Sequence, residues 1–216
     1  MSRHIGYLFI APAFVILFFT SIYPVAFSFY FSFFDWNWGN QENFIGLDNY
    51  LFLLTDPEFW TVIYNTFVFA SVSCFLEVTI GIILAIFVDR IVFCSTVIRT
   101  ILILPLMVSG IIVSMISKIM FNNLFGVIPY GLKQIDIRSS FFGSTEAAMP
   151  TLIGVDVWWQ TSFVFIIILA ALQGIPNDTV EAAKIDGASE WDITRFIRLP
   201  LIKPIIILVI IFRSID

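Results

Sequence analysis

Long apolar segments alternate with shorter polar ones along the whole chain. Four predicted membrane spans cover residues 5–34, 61–88, 100–121 and 150–172, and the start of a fifth covers 204–216. A helix of about 20 apolar residues crosses the hydrocarbon core of a bilayer, and each of the four spans exceeds that length. The pattern therefore predicts an all-α membrane protein, a polytopic bundle with one transmembrane domain over residues 1–216.

Three polar segments connect the spans, at residues 35–60, 122–149 and 173–203. In the first, Asp56-Pro57-Glu58 places a cap, a proline and an acid in the order that starts a helix. Within the third span, Pro105 and the pair Ser109-Gly110 predict a break at mid-depth. The small residues at this break suit either close helix packing or a gap for a solute.

The positive charges predict the orientation of the spans. Seven of them lie in the N-terminus, in 89–99 and in 173–203: Arg3, Arg90, Arg99, Lys184, Arg195, Arg198 and Lys203. Three lie near or in the opposite segments: Lys118, Lys133 and Arg138. Since positive residues concentrate on the cytoplasmic side, we expect a multi-pass protein of the cytoplasmic (inner) membrane. Its N-terminus and residues 173–203 would be cytoplasmic, and 35–60 and 122–149 external.

Composition excludes a soluble globular domain. The chain is 59% hydrophobic and 12% charged, with a mean hydropathy of +0.97. Cys74 and Cys94 lie in or beside separate apolar spans, so we expect no disulfide framework. The first apolar run is too long for a cleaved signal peptide and lacks a small-residue cleavage site.

The segment 173–203 predicts two short helices that meet at a glycine. Asp178 and Glu181 have the spacing of a capping box, which favours a helix from about Thr179 to Asp186. Gly187 is suited to the left-handed turn that ends it. We expect Ser189, with Asp192, to start the second helix and Pro200 to help stop it.

The same segment carries a family resemblance. Its motifs are Leu172-Gln173-Gly174-Ile175-Pro176, Glu181-Ala182-Ala183, Ile185-Asp186-Gly187-Ala188 and Leu199-Pro200. They resemble the EAA loop of permease subunits of binding-protein-dependent ABC importers, in the carbohydrate-uptake branch of the maltose and glycerol-phosphate type, as in the first of its two permease subunits. We call residues 173–203 the EAA loop. The alternative is an amphipathic connector that reads this way by chance.

The resemblance implies a type I ABC importer permease fold and a translocation-pathway subunit. The EAA loop would be a coupling helix docked into a groove of an ATPase subunit. The residues implied in that contact are Glu181, Ala182, Ala183, Ile185, Asp186, Gly187, Ala188, Leu199 and Pro200. Implied partners are a second permease subunit, two ATP-binding subunits, an extracytoplasmic solute-binding protein and a sugar-class solute. ATP-Mg would be held by the ATPase, with no cofactor in this chain.

The resemblance also implies solute contacts at mid-membrane on the third to fifth helices. The positions that fit are Ser109, Gly110, Gln160, Ser214 and Asp216. For each, ordinary interhelical packing or hydrogen bonding is the competing interpretation. Trp158 and Trp159 suit either an interfacial belt or a wall that faces a sugar ring.

Two acidic residues lie inside predicted spans, Glu77 in the second and Asp156 in the fourth. A charge in lipid is expensive, so Glu77 faces the bundle, is protonated, or both. It is either a transport-pathway residue or, as we favour, the partner in a helix–helix hydrogen bond beside Gly81. The family's core has six helices, so we expect a C-terminal truncation. Arg213 and Asp216 would then lie in hydrocarbon unless more chain or a partner satisfies them.

Several other functions lack their motifs. The sequence has no phosphate-binding loop for ATP, and its one histidine, His4, leaves no catalytic triad and no metal cluster. A surface for nucleic acid is absent as well. An enzyme would need Glu77 and Asp156 as paired carboxylates, and nothing in the sequence places them together. The rivals to the importer subunit are a stand-alone channel or secondary transporter and a non-functional truncated permease.

Overall fold

The computed structural model describes residues 3–37, 43–91, 94–135 and 141–215 and is predominantly helical. It divides into two compact units, Met1–Asn65 and Thr66–Asp216, which are described separately. The elements that begin in the first unit are α1 (Arg3–Leu17), a π-helical turn (Phe18–Ile22), α2 (Tyr23–Phe31), β1 (Phe34–Asp35), β2 (Asn43–Phe44), α3 (Asp48–Thr55) and α4 (Pro57–Asp89).

The first unit folds its polar segment back onto the end of α2. β1 and β2 pair antiparallel, and Gly46 makes the following turn with φ +62°. The Asn49 side chain donates to the main-chain oxygens of Ser32 (2.9 Å) and Phe34 (3.1 Å), and the Tyr50 hydroxyl lies 2.6 Å from that of Ser32. These contacts hold α3 beside the strand pair.

The predicted start of α4 is confirmed. The Asp56 carboxylate accepts a hydrogen bond of 2.9 Å from the Glu58 main-chain N–H, and Pro57 is the first helical residue. This arrangement satisfies one of the donors that every helix N-terminus leaves unpaired.

The second unit contains the remainder of α4 and all later elements. They are α5 (Ser95–Ile103), a 3₁₀ turn (Leu104–Met107), α6 (Gly110–Met120), α7 (Val127–Gln134), α8 (Thr145–Gln173), α9 (Asn177–Ile185), α10 (Glu190–Asp192), a π-helical turn (Ile193–Arg198) and α11 (Leu199–Ile215).

Three described helical segments are long and apolar enough to cross a bilayer: Phe9–Phe31, Pro57–Asp89 and Thr145–Gln173. Ser95–Met107 and Gly110–Met120 form a pair bent by 91°, and counting this pair as one span gives four. The predicted break at Ser109-Gly110 is therefore confirmed, because Val108 and Ser109 take extended backbone angles there. The third predicted span is a bent helix pair rather than a straight helix.

The core of the second unit lies where α4, α8 and α11 meet. Its buried members are Val78, Ala85, Val88, Val164, Phe165, Ile168, Leu169, Leu172, Ile202 and Val209. Gly81 permits close contact of α4 with α8, because a Cβ there would lie 2.6 Å from Val164 Cγ1. Between membrane helices such packing stabilises mainly through van der Waals contact and hydrogen bonds, since lipid tails are as apolar as the side chains.

Candidate functional site: the EAA loop and a buried charge cluster

The first half of the EAA loop ends in the predicted glycine turn. After α9, Gly187 takes φ +83°. Its N–H donates to the Lys184 oxygen (3.1 Å), and the N–H of Ala188 donates to the Ala183 oxygen (3.0 Å). These two bonds form a Schellman motif, which satisfies carbonyls left free at the helix end. A Cβ at Gly187 would meet nothing within 4 Å, so the requirement for glycine there is conformational.

One of the two predicted caps in the loop is correct. Ser189 and Asp192 form a capping box, in which the Ser189 hydroxyl accepts from the Asp192 N–H at 3.2 Å and the Asp192 carboxylate accepts from the Ser189 N–H at 3.1 Å. The Ser189 hydroxyl also donates to the Asp192 carboxylate, and this bond, together with the one from the Ser189 N–H, lowers the pKa of the Asp192 carboxyl. The predicted cap at Asp178 is wrong. α9 begins at Asn177, two residues before the predicted Thr179, which places Asp178 in the first turn, where its charge complements the helix dipole.

The prediction that Pro200 helps to stop the second helix is also wrong. The π-helical turn Ile193–Arg198 continues directly into α11, with Pro200 in the first turn and Pro204 inside the helix. A π-helical turn pairs each carbonyl with the N–H five residues on. The chain therefore keeps its helical path past a proline that has no N–H to donate. Leu199 packs at the edge of the core, whereas Pro200 is exposed.

The loop exposes large apolar side chains among its charges. Ile185 is 85% exposed, Trp191 69% and Phe196 65%. Glu181, Ala182 and Asp186 are also exposed, and Ala183 and Ala188 are half-buried. Trp191 and Phe196 are absent from the sequence-based candidates, although two aromatic residues in a charged segment are a usable signal. An apolar surface of this kind on a polar segment is typical of a protein–protein contact.

Arg90, at the end of α4, holds the second half of the loop. Its guanidinium donates to the Thr194 hydroxyl at 2.6 Å and to the main-chain oxygen of Glu190 at 3.2 Å, and it lies 3.9 Å from the Glu190 carboxylate. Thr194 is only 2% exposed and itself donates to the Glu190 oxygen at 2.8 Å. In the sequence Arg90 stands out only by its charge, since nothing local links it to residues about a hundred positions later.

Other polar contacts fasten the rest of the loop. Lys184 pairs with Glu190 at 2.9 Å, which joins α9 to α10 across the glycine turn. The hydrogen bond from Lys184 lowers the pKa of the Glu190 carboxyl from its ordinary value of 4.5. Arg198 lies 3.7 Å from Asp89.

At the other end of the loop, the Gln173 side chain contacts the start of the third span. With its amide oxygen turned to Arg99, it accepts from the two terminal guanidinium nitrogens at 3.1 and 2.8 Å. The loop is thus fixed to the ends of the spans on both sides of the glycine turn.

A cluster of three charges lies inside the helical bundle. Glu77 of α4 is 0% exposed, and its two carboxylate oxygens accept from Arg213 of α11 at 2.6 and 3.1 Å. The same guanidinium donates to the Asp156 carboxylate of α8 at 3.1 Å. The expectation that Arg213 needs a partner outside this chain is therefore wrong. Glu77 does make the favoured helix–helix contact, but as an ion pair.

One of the two predicted solute positions at the break, Gly110, lies against a tryptophan. The Trp159 indole N–H donates to the Val108 oxygen at 3.1 Å, and its ring lies where a Cβ on Gly110 would come within 2.8 Å. Trp159 therefore packs on the bend of the third span, a role that neither sequence-based interpretation included. Trp158 is exposed. Ser109 is exposed and precedes α6, with no side-chain cap among the described contacts.

The remaining solute candidates are one residue of α8, one of α11 and one outside the described residues. Gln160 is buried in α8, and the Ser214 hydroxyl donates to the Ile211 oxygen of its own helix at 2.9 Å. Asp216 lies outside the described residues.

The solute candidates do not line one common cavity among those described below. A mostly apolar cavity of about 550 Å³ lies beside the bend, with Ser117 and Thr151 as its polar side chains. Another, of about 630 Å³, lies between α4 and α11 and includes Ser71, Cys74 and Ser214. Of the four described candidates, Ser214 alone lines either of these two cavities.

Comparison with known proteins identifies a family. Residues 77–216 match the family described as binding-protein-dependent transport system inner membrane component. The probable starch degradation products transport system permease protein AmyD of Thermoanaerobacterium thermosulfurigenes is 36% identical, over 92% of this chain and 68% of AmyD. The trehalose/maltose transport system permease protein MalF of Thermococcus litoralis is 34% identical, over 98% of this chain and 72% of MalF.

A solved structure supports the same assignment. A chain in the crystal structure of a bacterial alginate ABC transporter, in complex with alginate pentasaccharide-bound periplasmic protein, superimposes with a TM-score of 0.84. It is 25% identical, over 97% of this chain and 70% of that one. The family match covers more than half of the chain, including the bend, the EAA loop and the helical bundle that surrounds the buried charges. The chain therefore belongs to the inner membrane components of binding-protein-dependent transport systems, as a permease subunit of an ABC importer.

Proposed function

We propose that this chain is the translocation-pathway subunit of an ATP-driven importer for a sugar or a related solute, and that the EAA loop couples it to a cytoplasmic ATPase. The observation that carries the proposal is the exposed apolar surface of Ile185, Trp191 and Phe196 on a loop bent at Gly187. Large exposed apolar side chains among polar residues mark sites of interaction with a partner.

The names of the relatives support a carbohydrate as the solute. AmyD and MalF are named for starch degradation products and for trehalose and maltose, and the solved neighbour transports alginate. We infer a type I architecture, a second permease subunit, two ATP-binding subunits and an extracytoplasmic solute-binding protein as partners. ATP-Mg belongs to the ATPase subunits, and this chain supplies no catalytic group to the hydrolysis.

The mechanism follows from the loop's attachments. ATP binding closes the ATPase dimer, and a dimer that grips Glu181–Ala188 moves the loop with it. The covalent connections to α8 and α11 carry that displacement into the bundle. The cavity along the pathway then changes from inward-facing to outward-facing and receives solute from the binding protein. Ser109, Gly110, Gln160, Ser214 and Asp216 stay predictions for contacts with that solute.

The test is site-specific photocrosslinking in cells that express the whole transport system. A photoreactive residue at Ala183 or Ala188 should capture the ATPase subunit. The same residue at Tyr130, an exposed position on α7 that we place outside, should not. A loop that never captures the ATPase, or that a membrane-impermeant thiol reagent labels from outside at a cysteine replacing Ala183, would overturn the proposal.

A second experiment separates this function from a stand-alone transporter. The subunits are reconstituted in proteoliposomes with and without the ATPase, and the uptake of labelled mono- and oligosaccharides is measured. We expect uptake to require ATPase, ATP and binding protein together. Solute flux through this chain without the ATPase would favour the channel or secondary transporter instead.

A further inference from the structure

The helix α4 contacts the EAA loop although it is not covalently next to it. The loop is continuous with α8 and α11, whereas Arg90 and Glu190 are separated by 100 residues of chain. Any displacement of the loop reaches α4 only through side-chain and packing contacts. The polar contacts that join α4 to the loop and to α11 therefore decide whether α4 moves with them.

The first connection is formed by Arg90 with Glu190 and Thr194, and by Asp89 with Arg198; we call it the loop tie. Arg90 donates to a main-chain oxygen at 3.2 Å and, one turn later, to a hydroxyl at 2.6 Å. A guanidinium is a planar, rigid fork of donors, so these two bonds set both the position and the rotation of the segment that leads into α11. Asp89 and Arg198 are both largely buried, which limits screening of their attraction by solvent.

The second connection is the cluster of Glu77, Arg213 and Asp156; we call it the buried tie. One guanidinium joins α4 to α11 through both oxygens of Glu77 and reaches α8 through Asp156. The side chain of Arg213 is 7% exposed and that of Glu77 is 0% exposed. Separating such a pair in the membrane leaves an uncompensated charge, so the contact resists any sliding of one helix along another.

The two ties lie at different heights along α4 and join it to α11 and to the segment that leads into α11. From Glu77 to Arg90, α4 rises about 20 Å at about 1.5 Å per residue. Two long helices held at one point can still pivot about it. When they are held at two points this far apart, neither tilting nor axial rotation is possible without breaking one of the ties.

We propose that Arg90 and Arg213 are positioning residues that make α4 move as one body with the EAA loop and α11 during transport. The inference rests on the proposed function of the loop, because it concerns how the movement delivered there is distributed. Without the loop tie, α4 keeps the buried tie and the apolar packing of the core, but its end at Arg90 loses its polar contacts with the loop. The loop and α11 then move while α4 lags behind them.

A distance measurement tests this directly. Spin labels are placed at Ile83 of α4 and Ile207 of α11, two exposed positions that lie between the ties, in a background in which Cys74 and Cys94 are replaced. In the assembled transporter we expect the same distance distribution in the nucleotide-free and vanadate-trapped states. In Arg90→Ala the two states should give different distributions. A parental transporter whose Ile83–Ile207 distance changes between the states would overturn the inference.

A coupling measurement tests the contact itself. Arg90→Ala should lower the solute carried per ATP hydrolysed by at least about tenfold, because Arg90 donates two hydrogen bonds and loss of one bond to a charged group already corresponds to that factor. Thr194→Val should act in the same direction, and the double variant should lose less than the sum of the two single variants, because both substitutions remove the Arg90–Thr194 hydrogen bond. Lys133→Ala, which removes an exposed charge on α7 outside the EAA loop, is the matched control and should retain the parental ratio.

The outcomes separate this inference from the proposed function. If Arg90→Ala carries as much solute per ATP hydrolysed as the parental protein, and Ala183 still crosslinks to the ATPase, the inference is wrong but the proposed function stands. Absence of that crosslink in the parental protein overturns the proposed function. Because Arg213→Ala leaves two buried carboxylates unpaired and endangers folding, Arg213→Lys is used instead. It keeps the charge without the two-pronged contact to Glu77, and it should widen the distance distribution.

Discussion

Substitution of Gly187 by valine isolates the bend of the EAA loop from every other property of the loop. Gly187 has φ +83°, a region that residues with a Cβ rarely adopt. A Cβ there would meet nothing within 4 Å, so within this chain the first side-chain atom of a substituent has room. The effect of Gly187→Val on this chain is therefore conformational, and Gly187→Asn, with a side chain of similar size that tolerates positive φ, separates it from an effect of bulk at the ATPase contact.

The cost can be estimated from the backbone alone. A residue with a Cβ in the left-handed region costs roughly 1–2 kcal/mol relative to glycine, and a β-branched residue lies at the upper end of such a range. A penalty of this size reduces the population of the bent loop by a factor of about 5–30. The two hydrogen bonds of the Schellman motif, at 3.1 and 3.0 Å, depend on that bend and are lost with it.

The assay is solute uptake and ATP hydrolysis by the reconstituted transporter. We expect Gly187→Val to reduce uptake more than hydrolysis, Gly187→Ala to lie between it and the parental protein, and Gly187→Asn to be mildest because asparagine tolerates positive φ. Gly131→Ala is the control, since Gly131 also has open space around it but no positive φ. If the valine variant takes up as much solute per ATP hydrolysed as the parental protein, the bend is not required.

Two further predictions follow from single contacts. Trp159→Phe removes the hydrogen bond to the Val108 oxygen and should lower the free energy of unfolding by about 0.5–1.5 kcal/mol. Trp158 is exposed, so Trp158→Phe should have little effect on it. Differential scanning fluorimetry in detergent compares the two variants, and an equal fall in melting temperature would contradict the assignment. The pKa of the Glu190 carboxyl is lowered by Lys184, so the stability that this pair contributes is complete above the ordinary value of 4.5 and is lost as pH falls through the lowered pKa. A carboxyl NMR titration of labelled Glu190 should show a midpoint below 4.5 that rises in Lys184→Met, and an unchanged midpoint in that variant would refute the pairing.

Local signals in the sequence predicted local structure well. The helix start at Asp56-Pro57-Glu58, the turn at Gly187, the capping box of Ser189 and the break at Ser109-Gly110 each depend on a few neighbouring residues. Steric restriction and the unpaired groups of a helix end act over that range, so the neighbouring residue types are sufficient. The error at Pro200 arose because a π-helical turn before it accommodates the proline, and neither hydrophobic periodicity nor capping residues signal such a turn.

The contacts between distant residues could not be predicted. Glu77 and Arg213 are 136 positions apart, and Arg90 and Thr194 are 104 apart. Whether two such side chains meet depends on the rotation and axial offset of packed helices, which composition does not determine. The sequence does show that Glu77, Asp156 and Arg213 are charges inside predicted spans and need partners. That they pair with one another depends on α4, α8 and α11 facing a common centre.

The π-helical turn Ile193–Arg198 sets the direction in which every later side chain of α11 points around the helix axis. Each residue added to or removed from a helix rotates the downstream part by about 100° around the axis. If the same six residues formed ordinary α-helical turns, the later part of α11 would rotate by about a quarter of a revolution and Arg213 would turn away from Glu77. A short irregularity before α11 thus governs which way a cation much later on the same helix points.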